Sequence, residues 1–312
     1  MIDEPSMSCA CQKVCACQFI LPDLNEKKFI NEQILYLMDI PNKLAEIKKK
    51  AVPNVSNGFL QLAFSCIDLT TLNSTDTQSR VSRFTEQVNN FYNDYPALPH
   101  VAAICVYPNM VQTVKNILNV RGVKIAAVAG GFPSSMTFTE LKAEEARLAV
   151  EAGAGEVDVV LPLWAFLDGK DDLCKEEIET IKVAIGDAHL KVILESGVLA
   201  EPEVIERAAI LAMEAGADFI KTSTGKVSPA ATPEAALVMC RAVKAFYERT
   251  GKQVGFKPAG GISTTEEAVL YLTIVKEVLG DAWLTPDLFR IGASRLANSL
   301  LSSISGRVIT YF

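Results

Sequence analysis

The 312-residue sequence predicts a closed (β/α)8 barrel, a TIM barrel, with an N-terminal helical extension. Three observations point there. From about residue 55, short β-rich apolar runs alternate with helical patterns, which calls for parallel strands joined by crossover helices. The runs number eight, which suits a closed barrel better than an open sheet. The segment after the first run, DLTTLNSTD, also lacks the G-x-G-x-x-G that a nucleotide-binding open sheet would place there.

Residues 1–54 stand ahead of the barrel and residues 55–312 form it. Within the extension, about 24–50 carries a helical pattern that Pro41 breaks or kinks. The strand candidates follow in order. They are QLAFSCIDL (61–69), VAAICVY (101–107), KIAAVAG (124–130) and EVDVVLP (156–162), then KVILES (191–196), DFIKTS (218–223), QVGFKP (253–258) and FRIGAS (289–294). Between them, TELKAEEARLAVEAGA has apolar residues at helical spacing. PEVIERAAILAMEAGAD opens on proline and stops at Gly216. TPEAALVMCRAVKAFYERTG starts Thr-Pro-Glu and closes at Gly251. STTEEAVLYLTIVKEVLG offers hydroxyl caps and a glycine stop.

Composition narrows the function classes. The chain is 49% hydrophobic and 21% charged, which is ordinary for a globular protein. A formal net charge of -7 argues against a phosphate backbone as the main partner. The nearest approach to a charge block, EIKKK at 46–50, reads as the solvated end of a helix. No apolar run reaches the roughly 18 residues of a membrane span. The first residues, MIDEPSMSCACQ, lack the basic and apolar regions of a signal peptide, so the expected location is the cytoplasm. Cys66, Cys105, Cys174 and Cys240 lie singly in apolar stretches and read as buried small hydrophobes. Cys9, Cys11, Cys15 and Cys17 form C-x-C-x3-C-x-C, which is not the C-x2-C spacing of structural zinc sites; they read as a mobile tail with no dedicated metal, the alternative being adventitious or regulatory thiol chemistry. His100 and His189 fall at strand starts, opposite the end where barrel active sites form, and read as structural.

Side chains alternate faces along a strand, so parity tests which polar residues enter the barrel. Asp68, Asp158, Lys221 and Lys257 can all point inward at the C-terminal ends of four strands. One reading is a structural ion-pair network closing the barrel. The other is catalytic, and the two lysines on consecutive strands favour it, because a purely structural design would not set like charges side by side. Two ammonium groups roughly 6 Å apart at an effective dielectric of about 20 repel by about 2.8 kcal/mol, or about 2 pKa units. Burial adds to this. Such a lysine becomes partly neutral and nucleophilic, a route to a Schiff base with a carbonyl substrate. Three glycine-bearing loops, TSTGK, PAGGIS and IGASR, follow the last three strands. Loops there commonly bind phosphate, since glycine lets backbone N–H groups approach an anion. Lys226 and Arg295 could add charge.

DFIKTSTGK, VGFKPAGGI, EVDVV, IDLTTL, AAICVYP and FRIGAS, in this order, resemble the deoxyribose-phosphate aldolase family from about residue 58 to 300. The resemblance implies a class I aldolase that uses neither metal nor cofactor. Such an enzyme reversibly cleaves 2-deoxy-D-ribose 5-phosphate to D-glyceraldehyde 3-phosphate and acetaldehyde, in deoxyribonucleoside catabolism. It implies Lys221 as the Schiff-base lysine, Lys257 as the lysine that depresses its pKa and relays protons, and Asp158 as a proton-handling group. Asp68 and Thr70 would orient Lys257 and a substrate hydroxyl. Gly225, Lys226, Gly260, Gly261, Gly292 and Ser294 would hold the phosphate. Arg295 stands where the family often has a small hydroxyl residue, and either strengthens the phosphate site or points outward. Tyr311, next to last, is a candidate for a tail tyrosine reaching the site, the alternative being an ordinary chain end. The AGGFPSS loop receives no role. The expected partners are a sugar phosphate and an aldehyde, not nucleic acid or membrane; the sequence does not set oligomeric state, and a homo-oligomer is compatible with it.

Overall fold

A computed structural model describes residues 39–312. The cysteine cluster and the start of the helical extension lie outside the described residues. Ile40–Phe312 forms one compact unit. Within it, helix α1 (40–51) buries Ile40, Leu44 and Ile47 at helical spacing. The segment behind α1 is tied on by Asn54, whose Nδ2 donates to Thr273 Oγ1 at 3.1 Å.

The first strand is shorter than its sequence pattern. Residues 61–65 belong to helix α2 (Asn57–Ser65), which buries Leu60, Ala63 and Phe64. That i, i+3, i+4 spacing is helical, and the apolar run QLAFSCIDL conceals it. Strand β1 (Ile67–Thr70) begins only after Cys66. The other seven strands fall inside or overlap their predicted runs. They are β2 (Ala103–Val106), β3 (Lys124–Ala129), β4 (Glu156–Val160), β5 (His189–Ile193), β6 (Phe219–Lys221), β7 (Gly255–Lys257) and β8 (Ile291–Ala293).

Every strand pairing is parallel, in the order β7-β6-β5-β4-β3-β2-β1-β8. The ring closes between β7 and β8. Phe256 N–H donates to Leu288 O at 2.9 Å, Arg290 N–H to Phe256 O at 3.1 Å and Gly292 N–H to Pro258 O at 2.9 Å. The fold is therefore the predicted (β/α)8 barrel.

The crossover helices use the predicted start and stop signals. In α10 (Pro233–Thr250), Thr232 Oγ1 accepts from Ala235 N and the helix ends at left-handed Gly251. In α11 (Thr265–Leu279), Thr264 and Glu267 form a reciprocal capping box. α5 (Thr139–Ala152) ends at left-handed Gly153. The last helix, α12 (Leu296–Ser305), starts directly after Arg295.

Cys66, Cys105, Cys174 and Cys240 are free and buried, as expected. His189 is exposed at the start of β5, and His100 packs against the Phe91 ring, 6.2 Å between centroids. Among the described residues no helix is long and apolar enough to cross a membrane.

Candidate active site

Strand register builds the site. β6 and β7 end on Lys221 and Lys257, and these two residues are register partners. Asp158 lies on β4 and Asp68 on β1. All four side chains point inward and are buried. Lys221 Nζ lies 2.8 Å from Asp158 Oδ2, and Lys257 Nζ lies 2.7 Å from the same oxygen. Lys257 Nζ is also 2.5 Å from Asp68 Oδ2. That second contact is a close ion pair, so both carboxylates hold the one ammonium.

The two lysines are held differently. Burial pushes Lys221 below the ordinary lysine pKa, the Lys257 charge pushes the same way, and Asp158 opposes them. Burial also disfavours charged Lys257, but Asp158 and Asp68 outweigh it and hold its pKa above the ordinary value. Asp158 is buried too, yet Lys191, Lys221 and Lys257 pull it well below the usual carboxylate range. Lys257 thus stays an ammonium and Asp158 a carboxylate, while Lys221 is the base driven toward its neutral form.

Lys221 opens into a cavity of about 230 Å³ at the C-terminal end of the strands. Thr70, Gly225, Lys226, Gly260 and Gly261 line this cavity with it. So do Gly292, Ser294 and Arg295 on the far side. Asp68, Asp158 and Lys257 sit beneath and do not line it. Thr70 is half-buried at the rim, and its Oγ1 donates to Asp68 O at 2.7 Å. No carboxylate of the described residues lines the cavity, while Lys221, Lys226 and Arg295 do, so its field favours an anion.

The glycine loops pack closely. At Gly260, φ is +89°, and a Cβ there would lie 2.7 Å from Ala230 Cβ and 3.0 Å from Gly225 Cα. Thr222 ties the same loops together, donating through Oγ1 to Ala259 O at 3.1 Å and accepting from Ala259 N at 2.9 Å. Lys226 Nζ donates to Leu72 O, which bridges the mouth from the β6 loop to the β1 loop.

Tyr311 is elsewhere. Its Oη donates to Asp94 Oδ2 at 2.9 Å and lies 3.2 Å from Gln87 O, on helix α3 (Gln78–Asp94). Its ring packs edge-on against Phe91 and Tyr95, and it does not line the cavity. Of the two readings of this tyrosine, the ordinary chain end fits these contacts and the tail tyrosine reaching the site does not. The reason is an aromatic cluster near the end of α3, which captures the last two residues.

Five further residues, Lys191, Glu156, Arg290, Glu195 and Thr224, support the site. Lys191 Nζ lies 2.9 Å from Asp158 Oδ1 and 2.6 Å from Glu156 Oε2. Arg290 reaches Asp68 Oδ1 at 2.6 Å and Glu156 Oε1 at 2.7 Å. Glu195 adopts φ +52°, unusual for a non-glycine residue, and is buried. Its carboxylate accepts from Thr224 N at 3.1 Å and Thr224 Oγ1 at 2.6 Å, directly before Gly225 and Lys226. Strand parity was a usable signal for Lys191 and Glu195. The loop left without a role places Phe132 against Tyr107, 6.1 Å between centroids, beside a buried cluster of Leu72, Cys105 and Val128.

Known proteins resemble the chain over most of its length. The sequence pattern described as DeoC/LacD family aldolase matches residues 62–283. The deoxyribose-phosphate aldolase of Mus musculus is 44% identical over 265 residues, covering 80% of this chain and 80% of its own. That of Homo sapiens is 42% identical over 267 residues, covering 81% and 84%. Among solved structures, the aldolase QR15 matches with a TM-score of 0.64 at 29% identity, over 78% of this chain and 96% of its own. The deoxyribose phosphate aldolase from Aeropyrum pernix, described as having a unique tetrameric structure, matches with a TM-score of 0.63 at 27% identity, over 82% and 96%. On a match that spans most of the barrel and relatives above 40% identity, the chain belongs to the DeoC/LacD family of aldolases, which are carbon–carbon lyases.

Proposed function

We propose that the chain reversibly cleaves 2-deoxy-D-ribose 5-phosphate to D-glyceraldehyde 3-phosphate and acetaldehyde through a Schiff base on Lys221. The observation that carries this reading is the pairing of Lys221 with Lys257 over one shared oxygen of Asp158. It leaves a single partly neutral amine facing a cavity that suits a phosphate.

In this reading the neutral Lys221 amine attacks the aldehyde carbon of the open-chain sugar phosphate. Loss of water gives an iminium. Removal of the proton from the C3 hydroxyl breaks the C2–C3 bond, and its electron pair passes to the iminium as an enamine. Glyceraldehyde 3-phosphate leaves. Protonation of the enamine carbon and hydrolysis then free acetaldehyde and regenerate the amine. Asp158 and Lys257 handle the protons, and Asp68 with Thr70 orients Lys257 and a substrate hydroxyl. The phosphate lies against Gly225, Lys226, Gly260, Gly261, Gly292 and Ser294, with Arg295 adding charge. The reaction belongs to deoxyribonucleoside breakdown in the cytoplasm.

The test is turnover. Deoxyribose 5-phosphate should yield acetaldehyde in a coupled aldehyde assay. In the reverse direction, acetaldehyde should be the preferred donor to glyceraldehyde 3-phosphate. Preference for a keto-acid or ketose donor would assign a different Schiff-base aldolase. No turnover with any donor would leave a sugar-phosphate sensor.

A further inference from the structure

Seven ionisable side chains fill the barrel, Lys221 at the floor of the cavity and the other six beneath it. Asp68, Glu156 and Asp158 are the acids; Lys191, Lys221, Lys257 and Arg290 are the bases. All are almost completely buried. Three acids cannot neutralise four bases. With every group ionised the set would carry one uncompensated buried charge, which is strongly unfavourable. Charge balance therefore favours the loss of one base's proton.

Contacts decide which one. Lys191 lies within 4 Å of three carboxylates, at 2.6 Å from Glu156, 2.9 Å from Asp158 and 3.9 Å from Asp68. Lys257 touches Asp68 and Asp158. Arg290 touches Asp68 and Glu156, and a guanidinium does not deprotonate in proteins. Lys221 touches Asp158 alone, through an oxygen that Lys257 also holds. It is the least compensated base.

The remaining neighbours stand outside this ion-paired set. Glu195, past the end of β5, is buried, but its carboxylate is taken up by Thr224 N and Oγ1 and it forms no ion pair with the seven. Cys66, beside Asp68 and Arg290, is a thiol that burial holds in its neutral form. From β2 the inward titratable group is Cys105, whose thiol burial holds in its neutral form. From β3 the inward residues are Ala126 and Val128.

We propose that Arg290, which lines no substrate cavity, is a positioning residue for the reaction: it is the fixed cation that brings the buried charges to zero only when Lys221 is the free amine. The inference rests on the Schiff-base reading of Lys221. It adds to the repulsion between neighbouring lysines a second device one layer below, where Arg290 stacks 5.8 Å from the Phe219 ring centroid. Removing Arg290 leaves three acids facing three bases, so Lys221 keeps its proton. Removing Glu156 as well restores the balance.

The experiment follows trapping of Lys221 by acetaldehyde and cyanoborohydride across pH, read by peptide mass spectrometry, alongside the pH profile of kcat. In Arg290→Met the midpoint for adduct formation should rise by roughly one pH unit or more, about tenfold less amine at a given pH. In Arg290→Lys it should stay near the wild-type value. In the double variant Arg290→Met/Glu156→Gln it should return to within about half a unit of wild type, although two side chains are changed. A merely structural role predicts that the double variant is at least as impaired as the single one. An unmoved midpoint in Arg290→Met, or a double variant as shifted as the single, overturns the proposal. Should Arg290→Met fail to fold, Glu156→Gln carries the test: its midpoint should fall, and an unchanged or raised midpoint overturns the proposal. A wild-type enzyme with no adduct on Lys221 at any pH overturns the Schiff-base reading instead, and this inference with it.

Discussion

Lys221 and Lys257 share one acceptor, their ammonium nitrogens lying 2.8 Å and 2.7 Å from Asp158 Oδ2. The sharing is unequal. Lys257 has Asp68 as a second anionic partner, and Lys221 has none. Repulsion between like charges therefore falls mainly on the lysine that faces the cavity.

Asp158→Asn tests the shared acceptor. It removes the charge that holds both lysines and leaves Lys257 and Lys191 short of compensation. Turnover should fall by roughly 10²–10⁴-fold. Stability should fall by about 3–5 kcal/mol, the range for breaking a buried ion pair. Denaturant unfolding and steady-state kinetics would separate the two effects. Activity within a few-fold of wild type would remove Asp158 from the proton-handling role.

The anion site has its own signature. In Gly260→Ala the new methyl would crowd Ala230 and Gly225 at a left-handed φ. In Glu195→Gln the clamp on Thr224 is weakened just before Gly225. Both variants should raise KM for the phosphorylated sugar by roughly tenfold, about the loss of one good hydrogen bond. Cleavage of unphosphorylated deoxyribose should change little. An equal loss on both substrates would show damage to the barrel and not to a phosphate site.

These residues show why the site was legible in sequence. Parity places Asp68, Asp158, Lys221 and Lys257 on one face because a strand has a strict period of two. The glycine loops announce themselves by composition. Arg290 lies inside the predicted run FRIGAS on the same parity as Gly292 and Ser294, so parity was a usable signal for it too. Residues 61–65 were misread because a short apolar run satisfies both helix and strand periods. Tyr311 stayed open between two readings because its position depends on distant packing against Phe91 and Tyr95, which no local pattern encodes.

Tyr311→Phe gives the corresponding prediction. The hydroxyl lost bonds Asp94 and Gln87 and does not line the cavity that Lys221 faces. Turnover should stay within about twofold of wild type, and stability should drop by about 1 kcal/mol. A kcat loss of tenfold or more with unchanged stability would return this residue to the active site.

Acid stability follows from the buried carboxylates. Burial pushes Asp68, Asp158 and Glu156 upward, yet each is held below the ordinary carboxylate range: Asp68 by Lys257, Arg290 and Lys191, Asp158 by Lys191, Lys221 and Lys257, and Glu156 by Lys191 and Arg290. A carboxylate with a depressed folded pKa contributes stability that is present above its unfolded pKa, near 4, and lost as pH falls toward the folded value. The melting temperature should therefore be nearly level between pH 5 and 8 by this contribution and fall steeply below about pH 4. A level melting temperature down to pH 3 would contradict the pairing.

The most direct measurement is chemical. The enzyme is incubated with acetaldehyde, reduced with borohydride and digested, and its peptides are sequenced by mass spectrometry. The account predicts one ethyl adduct, on Lys221 in the peptide containing DFIK, absent in Lys221→Met and weakened at neutral pH in Lys257→Met. An adduct on Lys257 or Lys191 instead, or no adduct in a sample that turns over substrate, would contradict it.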